Sequence, residues 1–282
     1  MAAHPYFQGT IVLTTKHEKL RAIKPAFKEL VGCEIIEANL DTDQLGTFSG
    51  EIERLAPPRE TAIQKARLGM IETGLSIGIA SEGSVGPDPI APFLNSNIEH
   101  LVLVDDETQI VIHESYRSME ITVASAKVSP KDDLTPFLKK ADFPAHRVIV
   151  HPNTPDIQEC IKGIGTFEDL VIAIEKCAAV SPDGLAVVES DLRAMYSPSR
   201  QRNIEKAAQA LARRVSQLCP DCRVPGWGRI GYEKGVKCTE CGFINLKAVR
   251  QEILGCVSCE YHELGTIIAT ELDPARCQFC NP

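Results

Sequence analysis

The chain has 282 residues, with 30 lysines and arginines against 38 aspartates and glutamates, a formal net charge of −8. That balance argues against a protein that coats nucleic acid, because phosphate backbones demand a strongly cationic surface. Hydrophobic residues at 44% and charged ones at 24% are ordinary for a globular protein, and no run approaches the roughly 18 apolar residues of a membrane span. The N-terminus, MAAHPYFQGT, lacks a basic segment followed by an apolar run. No secretory signal is therefore expected, and the expected location is cytoplasmic.

In chain order, the β-branched run at 10–15 reads as a first strand. Leu20, Ile23, Phe27, Leu30 and Val31 then recur at helical spacing over 17–31, with Pro25 predicting a kink or a late start. A second strand follows at 34–40. The segment 41–58, rich in Asp, Thr, Gly and Pro, reads as a long surface loop of the functional kind. The strongest helix is 58–74, with Ile63, Ala66, Met70 and Ile71 as its buried stripe and Gly74 as its stop. An apolar strand at 75–80 then runs into a turn at 81–86. Further strands are predicted at 99–104, 108–113, 120–128, 147–150 and 186–188, and helices at 131–140, 166–179 and 199–218. This alternation predicts an α/β domain over 1–216, a mixed twisted sheet flanked by helices.

Eight of the eleven cysteines fall in the last 64 residues as C-x-x-C pairs: Cys219/Cys222, Cys238/Cys241, Cys256/Cys259 and Cys277/Cys280. Without a signal peptide, paired cysteines favour metal over disulfides, since the cytosol keeps thiols reduced. One C-x-x-C turn offers two sulfurs to an ion and two turns complete a tetrahedral zinc site. Gaps of fifteen residues between the first two pairs and seventeen between the last two fit zinc spacing. Residues 217–282 are thus expected to be a double zinc-ribbon domain holding two structural zincs. Sequential, nested and cross-braced pairing all remain open. Seven Lys/Arg against eight Asp/Glu from Cys219 onward leave a nucleic-acid-reading ribbon without electrostatic support; a protein partner or homo-oligomer contact suits this tail better. Cys33, Cys160 and Cys177 stand alone and read as small buried apolar residues.

Two places in the α/β part combine a strand end with polar residues. At Thr14-Thr15-Lys16-His17-Glu18-Lys19 a helix start offers free N–H groups, and Lys16 and Lys19 add cations for a phosphate. At Glu82 a carboxylate closes a buried strand, with Gly83 and Gly86 easing the turn. Glu60, at the start of the preceding helix, is expected near it, and such a pair suits magnesium. Asp41, Asp43, Glu51 and Glu53 could add acidic side chains to the same place. The histidines show no metal-ligand spacing, and no G-x-S-x-G elbow or Cys–His pairing supports covalent catalysis.

Three short segments carry a resemblance. VLTTKHEKL (12–20), ETAIQKA (60–66) and IASEG (79–83) resemble, in order, the strand-to-helix opening, the acidic helix and the acidic strand end of the inosine-triphosphate pyrophosphatase superfamily. SPSR (197–200) is faintly similar to that family's base-contacting Ser-His-Arg. The resemblance implies an inosine-triphosphatase-like fold, phosphate-binding roles for Lys19 and Lys65, magnesium and water activation for Glu60 and Glu82, and a substrate contact for Arg200. Lys16 stands where Asn is usual, and Ser81-Glu82 where Asp-Asp is common. Over its whole length the chain resembles an uncharacterised bacterial family, a domain of unknown function. That family shares the stretch at 41–51, the EGSxGP segment at 82–87 and a double-zinc tail with CPxC and PGWG. The expectation is a magnesium-dependent nucleoside-triphosphate pyrophosphatase. The alternative is a non-catalytic binder of a nucleotide or phosphometabolite, whose ribbons dock a protein or nucleic-acid partner.

Overall fold

A computed structural model describes residues 4–41, 56–154 and 160–282. The first unit comprises β1 (Thr10–Thr14), α1 (Leu20–Leu30), β2 (Glu34–Ala38), α2 (Pro58–Thr73), β3 (Ile77–Pro87), β4 (Asn95–Asp105) and β5 (Ile110–Ser118). Its sheet has the order β2-β1-β3-β4-β5, parallel across the first three strands and antiparallel beyond. Side chains alternate across the pleat. Ile11, Leu13, Ile79, Leu101, Leu103 and Ile112 face α1 and α5 (Pro198–Ser216), while Val12, Ala80, Val102 and Val104 face α2. Extending this parity puts Ser81 and Glu99 on the α1/α5 face and Glu82 and His100 on the α2 face.

Three expectations change here. The stretch 81–86 is not a turn: β3 runs through it, paired residue for residue with β4 from Ile77↔Asp105 to Pro87↔Asn95. A complete ladder outweighs the poor strand propensity of Gly83 and Gly86. Glu82 is therefore mid-strand. On α2 the buried residues are Thr61, Ala62, Lys65, Ala66, Gly69 and Met70, whereas Ile71 is 80% exposed, because one residue past Met70 turns it about 100° off the packed face. The first helix begins at Leu20, with Lys19 as its cap and Pro25 inside it.

The remaining strands of the α/β region do not join this sheet. The strands β6 (Ser125–Val128), β7 (Val148–Pro152), β8 (Ile161–Ile164) and β9 (Ala186–Ser190) form a separate antiparallel sheet, β6-β9-β7-β8. It packs its own core with α3 (Thr135–Ala141) and α4 (Phe167–Val180). The residues 120–124, expected as strand, precede β6 without ladder pairing. The tail forms a third sheet, β12-β11-β10-β13, from β10 (Gly228–Cys238), β11 (Ile244–Gly255), β12 (His262–Ile267) and β13 (Glu271–Leu272). The described residues thus make a mixed α/β structure of three sheets and five helices, and none of these helices is long and apolar enough to cross a membrane.

The tail is mounted on the first unit. Val224 and Val257 pack against the core beneath α5, and Arg214 of α5 donates to the Gly226 carbonyl at 3.2 Å and to Glu114 at 2.9 Å. Gly226 has φ +102°, and an added Cβ would meet the Ile112 side chain at 2.8 Å. Only glycine allows both that backbone conformation and that approach.

Candidate functional site

Polar groups gather on both faces of the first sheet, just past its apolar core. On the α1/α5 face, Arg200 at the start of α5 is 1% exposed and its Nε donates to Glu99 Oε1 at 2.6 Å. Its Nη1 donates to the Leu192 carbonyl at 2.8 Å. Asn97 Nδ2 donates to the same Glu99 oxygen at 3.0 Å, and Asn203 Nδ2 to Asn97 Oδ1 at 2.9 Å. Burial pushes the Glu99 carboxyl up, but Arg200, with Lys19 and Asn97, outweighs it and holds Glu99 below the usual range. Gly83 lies opposite Glu99 in the ladder, and a Cβ there would sit 2.6 Å from both Glu99 oxygens. Glycine is what lets the guanidinium and carboxylate close over the strand.

Lys19 is buried beside this pair. Its Nζ donates to Ser81 Oγ at 2.8 Å, a neutral partner, and makes no ion pair among the described residues. Burial, followed by the Arg200 charge, pulls the Lys19 ammonium down to about 8, with Glu99 and Glu82 opposing and Lys65 adding to the fall. The other four charged side chains thus all act on Lys19.

On the α2 face, Glu82 is ion-paired with Lys65, both buried. Directly across the ladder from Glu82 is His100, whose Nδ1 lies 3.2 Å from His113 Nε2 of β5. Burial first, then His100, Arg59 and Arg214, push the His113 ring down to about 4, with Glu60 opposing.

The sequence-predicted residues divide accordingly. Lys19 and Arg200 lie on the α1/α5 face and Lys65 and Glu82 on the α2 face, the last three all near enough for their charges to act on Lys19. Glu60 is half-exposed beside Arg59 at 3.5 Å, while Lys65, further along the same helix, is ion-paired with Glu82. Lys16 is bonded to Asp41 at 2.9 Å near the surface. Asp43, Glu51 and Glu53 lie outside the described residues. Glu99, Asn97, Asn203, His100 and His113 were not singled out from sequence. Each acts through partners at distant positions, and their local spacing carries no motif.

The eight tail cysteines form two sets: Cys219, Cys222, Cys256 and Cys259, and Cys238, Cys241, Cys277 and Cys280. The pairing is cross-braced, first pair with third and second with fourth, so each set sits at one end of the β10–β11 hairpin. Sγ–Sγ separations are 3.7 Å (Cys219–Cys259), 3.5 Å (Cys222–Cys256), 3.8 Å (Cys238–Cys280) and 3.6 Å (Cys241–Cys277). A tetrahedral site with metal–sulfur bonds of about 2.3 Å has edges of about 3.8 Å, so each set could hold one metal ion. Among the described residues, only these two groups bring three or more metal-capable side chains together. Among the described residues, the carboxylates do not assemble a comparable group of three.

Curated proteins give no match to the chain. A family model described as a domain of unknown function, DUF6671, matches residues 65–282. The match takes in Lys65, Glu82, Glu99, Arg200 and all eight tail cysteines, and leaves out Lys16, Lys19 and Glu60. Neither finding carries the inosine-triphosphate pyrophosphatase resemblance, which rests on its three short segments alone. Matched over most of its length, the chain belongs to the DUF6671 family.

Proposed function

We propose that this protein binds a phosphorylated small molecule, of the nucleotide or phosphometabolite class, at the polar cluster around Lys19, Lys65 and Arg200. The observation that carries this reading is Lys19: a buried ammonium whose close partner is a hydroxyl. Lys65 and Arg200 each have a carboxylate, while Lys19 has none within ion-pair distance among the described residues. A buried charge without a counter-charge is expensive, and a phosphoryl oxygen is the partner that would complete it. The cluster also sits past the apolar core of the parallel pair β1–β3, the region where open α/β sheets place ligands. Both buried carboxylates are held by cations, which favours binding over the magnesium-assisted hydrolysis that the motif resemblance implies.

The two cysteine sets are read as structural zinc sites. Four thiolates per ion leave no position open for water, and the separations suit zinc. Exposed Leu246, Leu264, Ile267 and Phe279 on the ribbon give a protein partner apolar surface to contact.

The test is a panel of nucleoside triphosphates, including ITP and XTP, with magnesium, followed both by thermal stabilisation and by pyrophosphate release. Stabilisation without product supports the binding reading, whereas turnover that Glu82→Ala abolishes returns the protein to the hydrolase reading. Neither response, from pure zinc-loaded protein, overturns both. The reading also fixes a pH dependence. Lys19 is charged below about 8 and loses its proton above it, so affinity for the anion is expected to fall between pH 7 and 9.5, and to fall less in Lys19→Met. Titrations at the two pH values check this. Stability of the free protein moves the other way: between about 8 and the usual 10.5 the unfolded chain keeps a proton that the folded one has released, so stability rises with pH across that window.

A further inference from the structure

We infer that His100 and His113 form a binding site for a first-row divalent ion of the nickel, cobalt or zinc class, separate from the cysteine sets and from the anion cluster. The two residues are diagonal neighbours on β4 and β5: His113 pairs with Val102, two positions from His100 on the same face. The ladder thus fixes both Cβ atoms, and the side chains need no loop to bring them together. Their facing nitrogens are 3.2 Å apart, with the rings 15° from parallel. Two imidazole nitrogens bound to one ion at about 2.0–2.1 Å are about 3.3 Å apart in a tetrahedral site and about 2.9 Å apart at a right angle. The observed separation falls between these values, as the tail sulfurs sit at the edge length of a filled site.

Two carboxylates lie in the neighbourhood of the pair. Glu82 is directly opposite His100 across the ladder, and Glu60, in the first turn of α2, is near enough for its charge to act on the His113 ring. Each carboxylate already has a cation, Lys65 for Glu82 and Arg59 for Glu60, so the two imidazole nitrogens, a ligand type these metals favour, are the protein's donors and water completes the coordination. Two arginines oppose a cation there, Arg59 and Arg214, but each is already matched, Arg59 by Glu60 at 3.5 Å and Arg214 by Glu114 at 2.9 Å. Both rings are only half-buried, so an ion and its waters can reach the nitrogens. The ordinary alternative is a hydrogen bond between two neutral rings, which predicts no affinity for metal.

The experiment is calorimetric titration of Ni²⁺ into the zinc-loaded full chain, so that the cysteine sets are already filled. One further ion per chain is expected, with affinity falling at least tenfold in His100→Gln and in His113→Gln and unchanged in His262→Gln, an exposed ribbon histidine. Circular dichroism and zinc content establish that the variants are folded. If they are not, Co²⁺ added to the wild type decides the matter, by paramagnetic broadening of backbone amides around residues 100 and 113. Binding that the substitutions leave untouched, no nickel beyond the zincs, or cobalt broadening elsewhere would overturn the assignment.

Discussion

Cys219→Ser is expected to release one metal ion and unfold the ribbon end that docks on the body of the protein. The reason is the size of what the metals replace. The buried apolar cluster within the ribbon comprises Val236, Cys238, Leu272 and Cys277, two of which belong to the sets that could hold a metal, so residues 217–282 have almost no core beyond what bound ions would supply. A structural zinc contributes on the order of 10–16 kcal/mol, comparable with the whole stability of a domain at about 5–15 kcal/mol. Cross-bracing then separates the consequences. The set containing Cys219 closes the end where Val224 and Val257 meet the first core, and the set containing Cys280 closes the far end of the hairpin. Cys280→Ser should therefore also drop the metal content from two to one, yet leave the docked end protected. Metal analysis with limited proteolysis reads both effects: cuts near the β10–β11 tip in Cys280→Ser, and cuts starting just after α5 in Cys219→Ser.

The second large effect concerns the buried ion pair. Arg200→Met should destabilise the α/β body by about 3–5 kcal/mol, the scale for stranding one partner of a buried pair. Glu99 is left with Asn97 and the charge of Lys19, in a buried position where water does not readily replace the guanidinium. Glu99→Gln in the same protein should restore much of the loss, since the amide carries no charge and Asn97 can still donate to its oxygen. Urea denaturation of the wild type, the two single variants and the double variant gives the coupling. A double variant no more stable than Arg200→Met would mean that the pair is not the source of the effect.

Much of the architecture was legible in local sequence. The β-branched run at β1, the stop at Gly74 and the C-x-x-C pairs each announce themselves within a few residues, because propensity, a left-handed glycine at φ +70° and a two-sulfur turn are local properties. What was missed is non-local. Nothing near Gly83 says that its ladder partner is Glu99 or that Arg200, far along the chain, closes over both. That triple contact is why a glycine-bearing stretch reads as a turn and folds as a strand. The division into two sheets was hidden for the same reason: β6 to β9 have ordinary strand composition, and only the packing of Phe137, Leu170 and Ile174 beneath them separates them from β1 to β5. Cysteine pairing was open because every C-x-x-C pair looks alike, and the β10–β11 hairpin is what brings the first pair to the third and the second to the fourth. The histidines were passed over because 100 and 113 have no helical or ligand spacing, although they become diagonal neighbours on adjacent strands.

Phosphate binding depends on Lys19 taking an anion as its partner. Titrating inorganic pyrophosphate and ATP, with and without magnesium, into zinc-loaded wild type and Lys19→Met at pH 7 and constant salt tests that most directly. One site per chain, weakened at least tenfold in Lys19→Met while the variant keeps its fold, is the predicted result. Absence of binding to the wild type at millimolar ligand, or equal affinity in the two proteins, would contradict it.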